Sequence, residues 1–267
     1  MSVETLALNS IISEQISLDS GITAFDENSL YGTFNGSSAY VSVADSSLLS
    51  FGDGSNDSAF SFSLWVYFDS TGSTQSIITK GNYFTDAEYW IYRPNNGNIN
   101  FRIYDNSTGD SFLGKYISGG APLNQWIHFT VTYDGSSLEG GIKIYKNGVI
   151  GTMGSSSGGS NYTAMENLAA PLQIGYHTDS SIYISGKMRD VKIFDVELTA
   201  AQVLTEYGAN NRTDDLIAHY KLYTDVDDSG GNGLDGVNTD VTFPVSRSLL
   251  EITSGVETTL ALNSSLL

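Results

Sequence analysis

The chain has 267 residues, with 12 lysines and arginines against 30 aspartates and glutamates, and its formal net charge is -18 at pH 7. An acidic surface repels nucleic-acid phosphates and anionic membranes, so neither is expected as a partner. There is no cysteine, which excludes disulfides and thiolate metal sites.

Residues 1–25 are predicted to form an N-terminal arm, because their apolar residues fit neither the helix nor the strand period. No basic region precedes an apolar segment, so a signal peptide is not expected, and no apolar run of about 18 residues predicts membrane insertion. These features favour a protein that works inside the cell or leaves it as part of an assembled particle.

A motif of the N-terminal arm recurs near the C-terminus. Val3–Ser10 reads VETLALNS, and Val256–Ser264 reads VETTLALNS, with one inserted threonine. Two interpretations are open. The copies are equivalent edge strands, or a duplication without a role; alternatively, they are docking arms that bind neighbouring subunits and become ordered on binding.

Between the arms, the sequence predicts short strands joined by tight turns. The strongest pattern is Phe60–Phe68, where five large apolar residues alternate with Ser61, Ser63, Trp65 and Tyr67. A period of two predicts a strand with one fully buried face. Further strands are predicted at 30–34, 39–43, 76–79, 89–92, 98–104, 126–133, 141–146, 149–153, 172–175, 182–185, 187–194, 216–222 and 241–245.

One segment has helical signals instead. Thr199 precedes the sequence AAQVLTEY, Gln202 stands at the third helical position, and Gly208 follows. Threonine as N-cap, glutamine at N3 and glycine as C-cap predict a helix of two turns. About a dozen short strands with one helix predict an all-β sandwich.

Five separated motifs then resemble laminin-G-like domains, in the order found in that family. The motifs read FNGSSAYVSV, FSFSLWVYFDSTGSTQSIITKG, LNQWIHFTVTYDGSSLEGGIKIYKNGV, PLQIGY and SGKMRDVKIFDVELTAAQVLTEY. The resemblance implies an all-β fold: a concanavalin A-like jelly-roll sandwich of two antiparallel sheets with one short helix near residues 200–207.

The resemblance also predicts the domain boundaries. The sandwich spans residues 26–245, with a core at 28–208 and with 213–245 as added strands, and a C-terminal arm follows at 246–267. The segment LIAHYKLYTDVDDSGGNGLDGVNTDVTF resembles the part that usually opens such a domain, although here it follows the helix. This departure indicates a permuted domain or the start of a second unit.

Domains of this family bind glycans, other proteins or cell surfaces, and they occur in adhesins and in bacteriophage structural proteins. The missing signal peptide and the matching arms favour a non-enzymatic virion protein, such as a capsid decoration protein, that displays a domain for cell-surface glycans. Residues 1–20 and 250–267 are predicted to dock it onto other virion proteins as a homo-oligomer. A free or secreted, extracellular carbohydrate-binding adhesin module is the alternative, and a glycan-cleaving enzyme is a weaker one.

No catalytic residue is predicted. Retaining glycoside hydrolases need two carboxylates about 5–5.5 Å apart. Hydrolases of this fold resemble an E-x-D-x-x-E strand, and this chain has no such strand. His128, His177 and His219 lie in strand contexts or beside loops and are expected to be structural, and no G-x-S-x-G elbow precedes a helix.

Calcium is the predicted cofactor, because many family members bind it and because calcium prefers carboxylate and loop carbonyl oxygens. The resemblance implies that Asp190, at the start of a strand, is a ligand; an ion pair with Arg189 or Lys192 is the alternative. Two acidic loops contribute the other candidate metal ligands, Asp53, Asp57, Asp228 and Asp235. Plain turns are the alternative for both loops.

A sugar site needs exposed rings for stacking and polar groups beside them. Trp65 and Trp126 match packed family positions and are expected in the core, whereas Trp90 and Tyr83 are freer. Loops at 82–88 and 105–111 supply polar groups. The predicted ligand-binding residues are Trp90, Tyr89, Tyr92, Asp86, Asp105 and Asn106.

Overall fold

The computed structural model describes residues 30–244, except 71–72, 84, 109–110, 160, 180 and 209–211. The predicted arms at 1–25 and 246–267, with both copies of the repeated motif, lie outside the described residues. The proposed docking segments 1–20 and 250–267 lie there as well.

The described residues form seventeen strands and one α-helix. These are β1 Gly32–Asn35, β2 Tyr40–Val43, β3 Phe60–Phe68, β4 Gln75–Lys80, β5 Tyr89–Arg93, β6 Ile99–Asp105, β7 Ser111–Ile117, β8 Trp126–Tyr133, β9 Ile142–Lys146, β10 Val149–Ile150, β11 Met153–Ser155, β12 Leu172–Ile174, β13 Tyr176–His177, β14 Ile182–Tyr183, β15 Ser185–Phe194, α1 Ala200–Tyr207, β16 Leu216–Tyr220 and β17 Gly236–Thr239, with single 3₁₀ turns at Ser47–Leu49 and Glu139–Gly141.

Two antiparallel sheets make up the sandwich. Sheet A has the order β1-β15-β3-β8-β9-β10, and β16 also pairs with β15. Sheet B has the order β11-β7-β6-β5-β4-β12-β2-β17, and β13 and β14 form a separate hairpin. One core cluster draws buried side chains from both sheets. The predicted all-β jelly-roll class is confirmed.

Strand β3 has the predicted buried face. Its apolar residues are each 1% exposed or less, and they point into the core between the sheets. The ring of Phe60 stacks on Phe51 with centroids 4.1 Å apart and meets Phe101 of sheet B edge-on at 6.0 Å. Each such side chain contributes about 1.5–3 kcal/mol through burial, so this strand anchors sheet A to sheet B.

The expectation that Trp65 and Trp126 belong to the core is wrong. Both are half-buried on the outer face of sheet A, where Trp65 pairs with His128 and Tyr67 pairs with Trp126. Trp65 lies between Leu64 and Val66, and neighbouring residues of a strand point to opposite faces. Because Leu64 and Val66 occupy the core, Trp65 must face outward.

Helix α1 has the predicted capping box. The Thr199 hydroxyl accepts from the Gln202 backbone N–H, and the Gln202 side chain accepts from the Thr199 N–H at 2.8 Å. The helix lies over one end of the outer face of sheet A, where the ring of Tyr207 is 5.7 Å from that of Trp65. Gly208 ends the helix, and its N–H donates to Leu204 O at 3.1 Å.

The segment after the helix joins both sheets. Strand β16 pairs with the second half of β15, and β17 pairs with β2 at the edge of sheet B. The strand predicted at 241–245 is not found at 241–244, the part of it that the structure describes, and the paired segment is Gly236–Thr239. Thr242 instead bridges back to β1: Thr33 N donates to Thr242 O at 2.8 Å, and Thr242 N to Thr33 O at 3.2 Å.

Among the described residues, no helix has both the length and the apolar character that a membrane span needs.

Candidate functional site

The outer face of sheet B carries two of the three predicted aromatic contacts. Trp90 and Tyr92 lie on this face, but Tyr89 points inward, is 0% exposed, and donates its hydroxyl to Leu49 O at 2.9 Å. Alternate residues of a strand face opposite sides, so the three rings cannot share one face. Tyr89 is a core residue, which corrects its prediction as a ligand contact.

Trp90 is itself covered. Its ring stacks on Tyr92 with centroids 3.9 Å apart, and the ring of His177 lies at 4.3 Å. The indole N–H donates to the Ser76 hydroxyl at 3.0 Å, and the residue is 9% exposed. Trp90 therefore offers little surface to a sugar and acts as a support beneath the β13–β14 hairpin.

A guanidinium extends this aromatic cluster along the face. Arg102 lies over the rings of Tyr92 and Phe112, at 5.4 and 4.3 Å from their centroids. Asn100 Oδ1 and Arg102 Nε are buried and have no hydrogen-bond partner among the described residues. Burial raises the pKa of Tyr92, so its hydroxyl stays protonated.

The predicted polar contact Asp86 stabilises its own loop. Its Oδ1 accepts from the N–H of Asn82 at 2.6 Å and from the Thr85 hydroxyl at 3.0 Å. The same loop reaches the β13–β14 hairpin, because Tyr83 N donates to Asp179 Oδ2 at 2.5 Å.

Asp105 and Asn106 are also used inside the fold. Asp105 is 0% exposed and accepts from the N–H groups of Ser107 at 3.1 Å and Thr163 at 2.7 Å. Burial alone would raise its pKa, but these hydrogen bonds outweigh burial and lower it. Asn106 donates its side-chain amide to Ala87 O. The structure thus places Asp105 in a loop-stabilising role, away from solvent.

Three tyrosines that the sequence analysis did not select form a ring surface on the same side of sheet B. We call Tyr40, Tyr176 and Tyr183 the tyrosine patch. Tyr176 and Tyr183 stack with centroids 4.5 Å apart, and Tyr40 lies 4.8 Å from Tyr176. All three are half-buried, so part of each residue is exposed to solvent.

Polar groups lie beside the tyrosine patch. Gln173 pairs with Ser42 in the register of β12 and β2, and Ser42 shares the outer face with Tyr40, two residues before it. Gln173 Nε2 donates to the Ser42 hydroxyl at 3.1 Å, while its Oε1 has no partner among the described residues. Gln173 is buried, whereas Ser42 is half-buried, so the Ser42 hydroxyl is the polar group that can orient a ligand beside the rings.

Asp190 lies inside β15 at an irregularity and not at the start of a strand. Its φ is 51°, in the left-handed region, and its carboxylate accepts from the Tyr223 hydroxyl at 3.0 Å and lies 3.2 Å from His219 Nε2. Burial alone would raise its pKa, but the contacts with His219 and Tyr223 outweigh burial and lower it. Both carboxylate oxygens already have protein partners.

The candidate ligands of the first acidic loop have separate roles. Asp57 Oδ2 accepts from the hydroxyls of Tyr133 at 2.7 Å and Tyr162 at 2.8 Å, and its Oδ1 accepts from Met165 N at 2.8 Å. Asp53 Oδ1 accepts from the backbone N–H groups of Ser55 at 2.8 Å and Asn56 at 2.7 Å, so Asp53 stabilises its own turn.

The second acidic loop is organised by Asp228. Its Oδ1 accepts from His219 N at 2.9 Å and Gly230 N at 2.7 Å, and its own N–H donates to Asp235 Oδ1 at 2.9 Å. Within the described part of the chain, no three His, Asp or Glu side chains come together in a way that could hold a metal ion. The five aspartates therefore do not fit a single calcium centre, and calcium binding stays a prediction.

The histidines have structural surroundings. His128 Nε2 lies 3.0 Å from the Ser63 hydroxyl, and both residues are buried. Burial lowers the pKa of His128 to about 3, so the imidazole is neutral at pH 7. The rings of Trp65 and Tyr207 lie 5.1 and 5.8 Å from that of His128, so the serine–histidine pair sits beneath other side chains.

The sequence profile of the laminin-G family in the Concanavalin A-like lectin/glucanases superfamily matches residues 35–204, which is more than half of the chain. The chain belongs to this family. No curated protein sequence matches the chain.

Solved structures share the architecture. A native heptameric SAP-like pentraxin from Limulus polyphemus has a TM-score of 0.53 and 17% identity, over 84% of this chain and 98% of that chain. A Bacteroides ovatus protein assigned as carbohydrate-binding has a TM-score of 0.51 and 17% identity, over 81% of this chain and 60% of that chain. At such identities the likeness shows the shared fold.

Proposed function

We propose that the protein is a non-enzymatic glycan-binding protein whose ligand lies on the tyrosine patch of sheet B. The observation that carries the proposal is the set of three half-buried rings beside Ser42 and Gln173. Tyrosine presents an apolar ring with a polar tip, which suits a sugar, because a sugar has apolar C–H faces and a hydroxyl rim.

Family membership and fold support this choice. The superfamily includes lectins, and one of the similar structures is assigned as carbohydrate-binding. The same superfamily also includes glucanases, so the absence of catalysis is part of the proposal. It is supported by the buried carboxylates of sheet B: Glu88 is held by Lys80 at 2.5 Å, and Asp105 accepts backbone N–H groups.

Screening on a glycan array, followed by titration calorimetry with the best glycan, tests the proposal. Replacing Tyr183 by alanine is expected to weaken binding about two- to twelvefold, the value of one aromatic contact of about 0.5–1.5 kcal/mol. Tyr116→Ala is the matched control, because Tyr116 is likewise half-buried but lies on β7 of sheet B, four strands from β12. Equal affinities for wild type and Tyr183→Ala, or release of reducing ends from the bound glycan, would contradict the proposal.

We further propose that the protein is a virion structural or decoration protein, docked through residues 1–20 and 250–267 as a homo-oligomer. The repeated motif VETLALNS and VETTLALNS supports this proposal, because two copies can fill equivalent grooves on neighbouring subunits. A free adhesin module is the alternative. Mass photometry of the full chain and of a variant without both arms separates them: loss of assembly with the arms supports docking, and a monomeric full chain favours the adhesin.

A further inference from the structure

The outer face of sheet A, on the side of the sandwich away from the tyrosine patch, carries a row of cations and aromatic rings. We call Lys187, Arg189, Tyr67, Trp65 and Trp126 the cationic strip. Strand pairing sets its geometry, because Lys187 pairs with Tyr67 and Tyr67 with Trp126, while Arg189 pairs with Trp65. Paired residues of neighbouring strands lie on the same face.

Each cation of the strip lies over two rings. Lys187 Nζ is 4.5 Å from the centroid of Tyr67 and 5.0 Å from that of Tyr31, which precedes β1. The Arg189 guanidinium is 5.1 Å from Trp65 and 5.3 Å from Trp126. These contacts attract the cations to the ring faces and fix their positions on the sheet.

The charge of Lys187 is not neutralised by a neighbour. No carboxylate of the described residues lies within 4.0 Å of its Nζ, although the chain has 30 acidic residues. Rings attract the ammonium but do not satisfy its three N–H donors in the way that oxygen acceptors do. Lys187 is therefore a half-buried ammonium without a carboxylate partner among the described residues, and this local charge is a place for an anion although the chain as a whole is acidic.

Helix α1 contacts only one end of the cationic strip. Tyr207 of the helix contacts Trp65 at one end, with ring centroids 5.7 Å apart. Tyr67, Trp126 and Lys187 lie further along the strands, and all three are half-buried. The rings of Tyr67 and Trp126 lie 5.8 Å apart in an edge-to-face arrangement, next to the ammonium group of Lys187.

We propose that the cationic strip binds a carboxylated sugar, such as a uronic acid residue of an acidic glycan. The sugar packs against the exposed parts of Tyr67 and Trp126, and its carboxylate accepts from Lys187 Nζ. An acidic peptide fits less well, because Arg189 is 5% exposed and leaves one accessible cation for a run of carboxylates. This site is independent of the tyrosine patch and would give the protein a second glycan specificity.

Titration calorimetry of the full chain with two matched ligands tests the proposal. The first ligand is an oligosaccharide of glucuronic acid, and the second is the same oligosaccharide after reduction of its carboxyl groups to alcohols. The wild type is expected to bind the acidic form about tenfold more tightly, as for one hydrogen bond to a charged group. Lys187→Gln is expected to abolish this preference. Added salt is expected to weaken binding of the acidic form alone, because salt screens the charge.

Lys146→Gln is the matched control, because Lys146 is a half-buried lysine of the same sheet on β9, and its replacement changes the net charge equally. It is expected to leave the preference intact. The proposal is overturned if the acidic and reduced forms bind equally or not at all, if both lysine variants behave alike, or if a glutamate peptide binds more tightly than the sugar. Circular dichroism of each variant verifies the fold.

Discussion

Lys80 and Glu88 form an ion pair with both side chains fully buried, and the Nζ–Oε1 distance is 2.5 Å. Lys80 ends β4, and Glu88 precedes β5, so the pair ties two strands of sheet B at one end. Asp45 lies 2.9 Å from the same ammonium, and Leu168 N donates to Glu88 at 3.0 Å. Burial raises the pKa of Glu88, while the Lys80 charge opposes that change.

Breaking this pair is expected to destabilise the fold strongly. Lys80→Met leaves Glu88 buried without its cation, at a cost of about 3–5 kcal/mol in the free energy of unfolding. The double variant Lys80→Met/Glu88→Gln is expected to recover part of that loss, because it removes the second charge as well. Urea unfolding measures both values; a single variant as stable as the double variant would contradict the prediction.

Substitution of Trp90 is expected to affect mainly stability, and substitution of Tyr183 mainly glycan binding. Trp90→Ala removes a covered indole and should lower the free energy of unfolding by about 3–5 kcal/mol. Tyr183→Ala removes a half-buried ring and should cost about 1 kcal/mol or less while it weakens glycan binding. Thermal unfolding and calorimetry measure the two effects. A Trp90→Ala variant with wild-type stability and no glycan binding would reverse these roles.

The lowered pKa of His128 predicts that the fold loses stability in acid. This pKa is lowered from 6.5 to about 3 by burial, with Lys192 and Arg189 adding to this effect and Asp190 opposing it. Between these two values the unfolded chain binds more protons than the folded chain. The free energy of unfolding therefore falls as pH falls, by up to about 1.4 kcal/mol per pH unit.

His128→Gln is the variant that isolates this effect, because glutamine does not titrate and can still hydrogen-bond to Ser63. The stability advantage of wild type over this variant is expected to shrink as pH falls from about 6.5 towards 4. Urea unfolding at a series of pH values measures the difference. A constant difference across this range would show that the pKa of His128 is not lowered.

Asp190 gives a test of the calcium prediction. Its hydrogen bonds to Tyr223 and its contact with His219 indicate that Asp190→Asn should cost about 1–3 kcal/mol even in the presence of a chelator. The calcium prediction requires that the wild-type Tm falls in EDTA and returns with added calcium, and that the Tm of Asp190→Asn is insensitive to EDTA. A wild-type Tm that neither EDTA nor added calcium changes would contradict the calcium prediction.

The sequence predicted the elements whose structure depends on local residue patterns. The alternation from Phe60 to Phe68 defined a buried face, and Thr199, Gln202 and Gly208 defined the helix. Strand β7 was missed, because its sequence SFLGKYI mixes glycine and lysine with apolar residues and has no clean period. Its position depends on pairing with β6, which a local pattern does not encode.

The candidate site was harder to predict than the fold. Tyr40 and Tyr176 are far apart in the sequence and meet only because β2 pairs with β12, directly before the β13–β14 hairpin. Trp90 was selected because tryptophan is typical of sugar sites, but packing by His177 covers it. Residue type therefore selected two rings on the outer face of sheet B, Trp90 and Tyr92, and only tertiary contacts showed that Trp90 is covered.

The bridge between Thr33 and Thr242 has a consequence for chain connectivity. The two hydrogen bonds place the first and last segments of the described sandwich side by side. A short linker could join these segments, and new termini could be opened at the Asn147-Gly148 turn between β9 and β10, since surface turns tolerate such cuts. Strand β16 could then precede β1 without a change in either sheet, so the order of segments along this chain is one of several that encode the same sandwich.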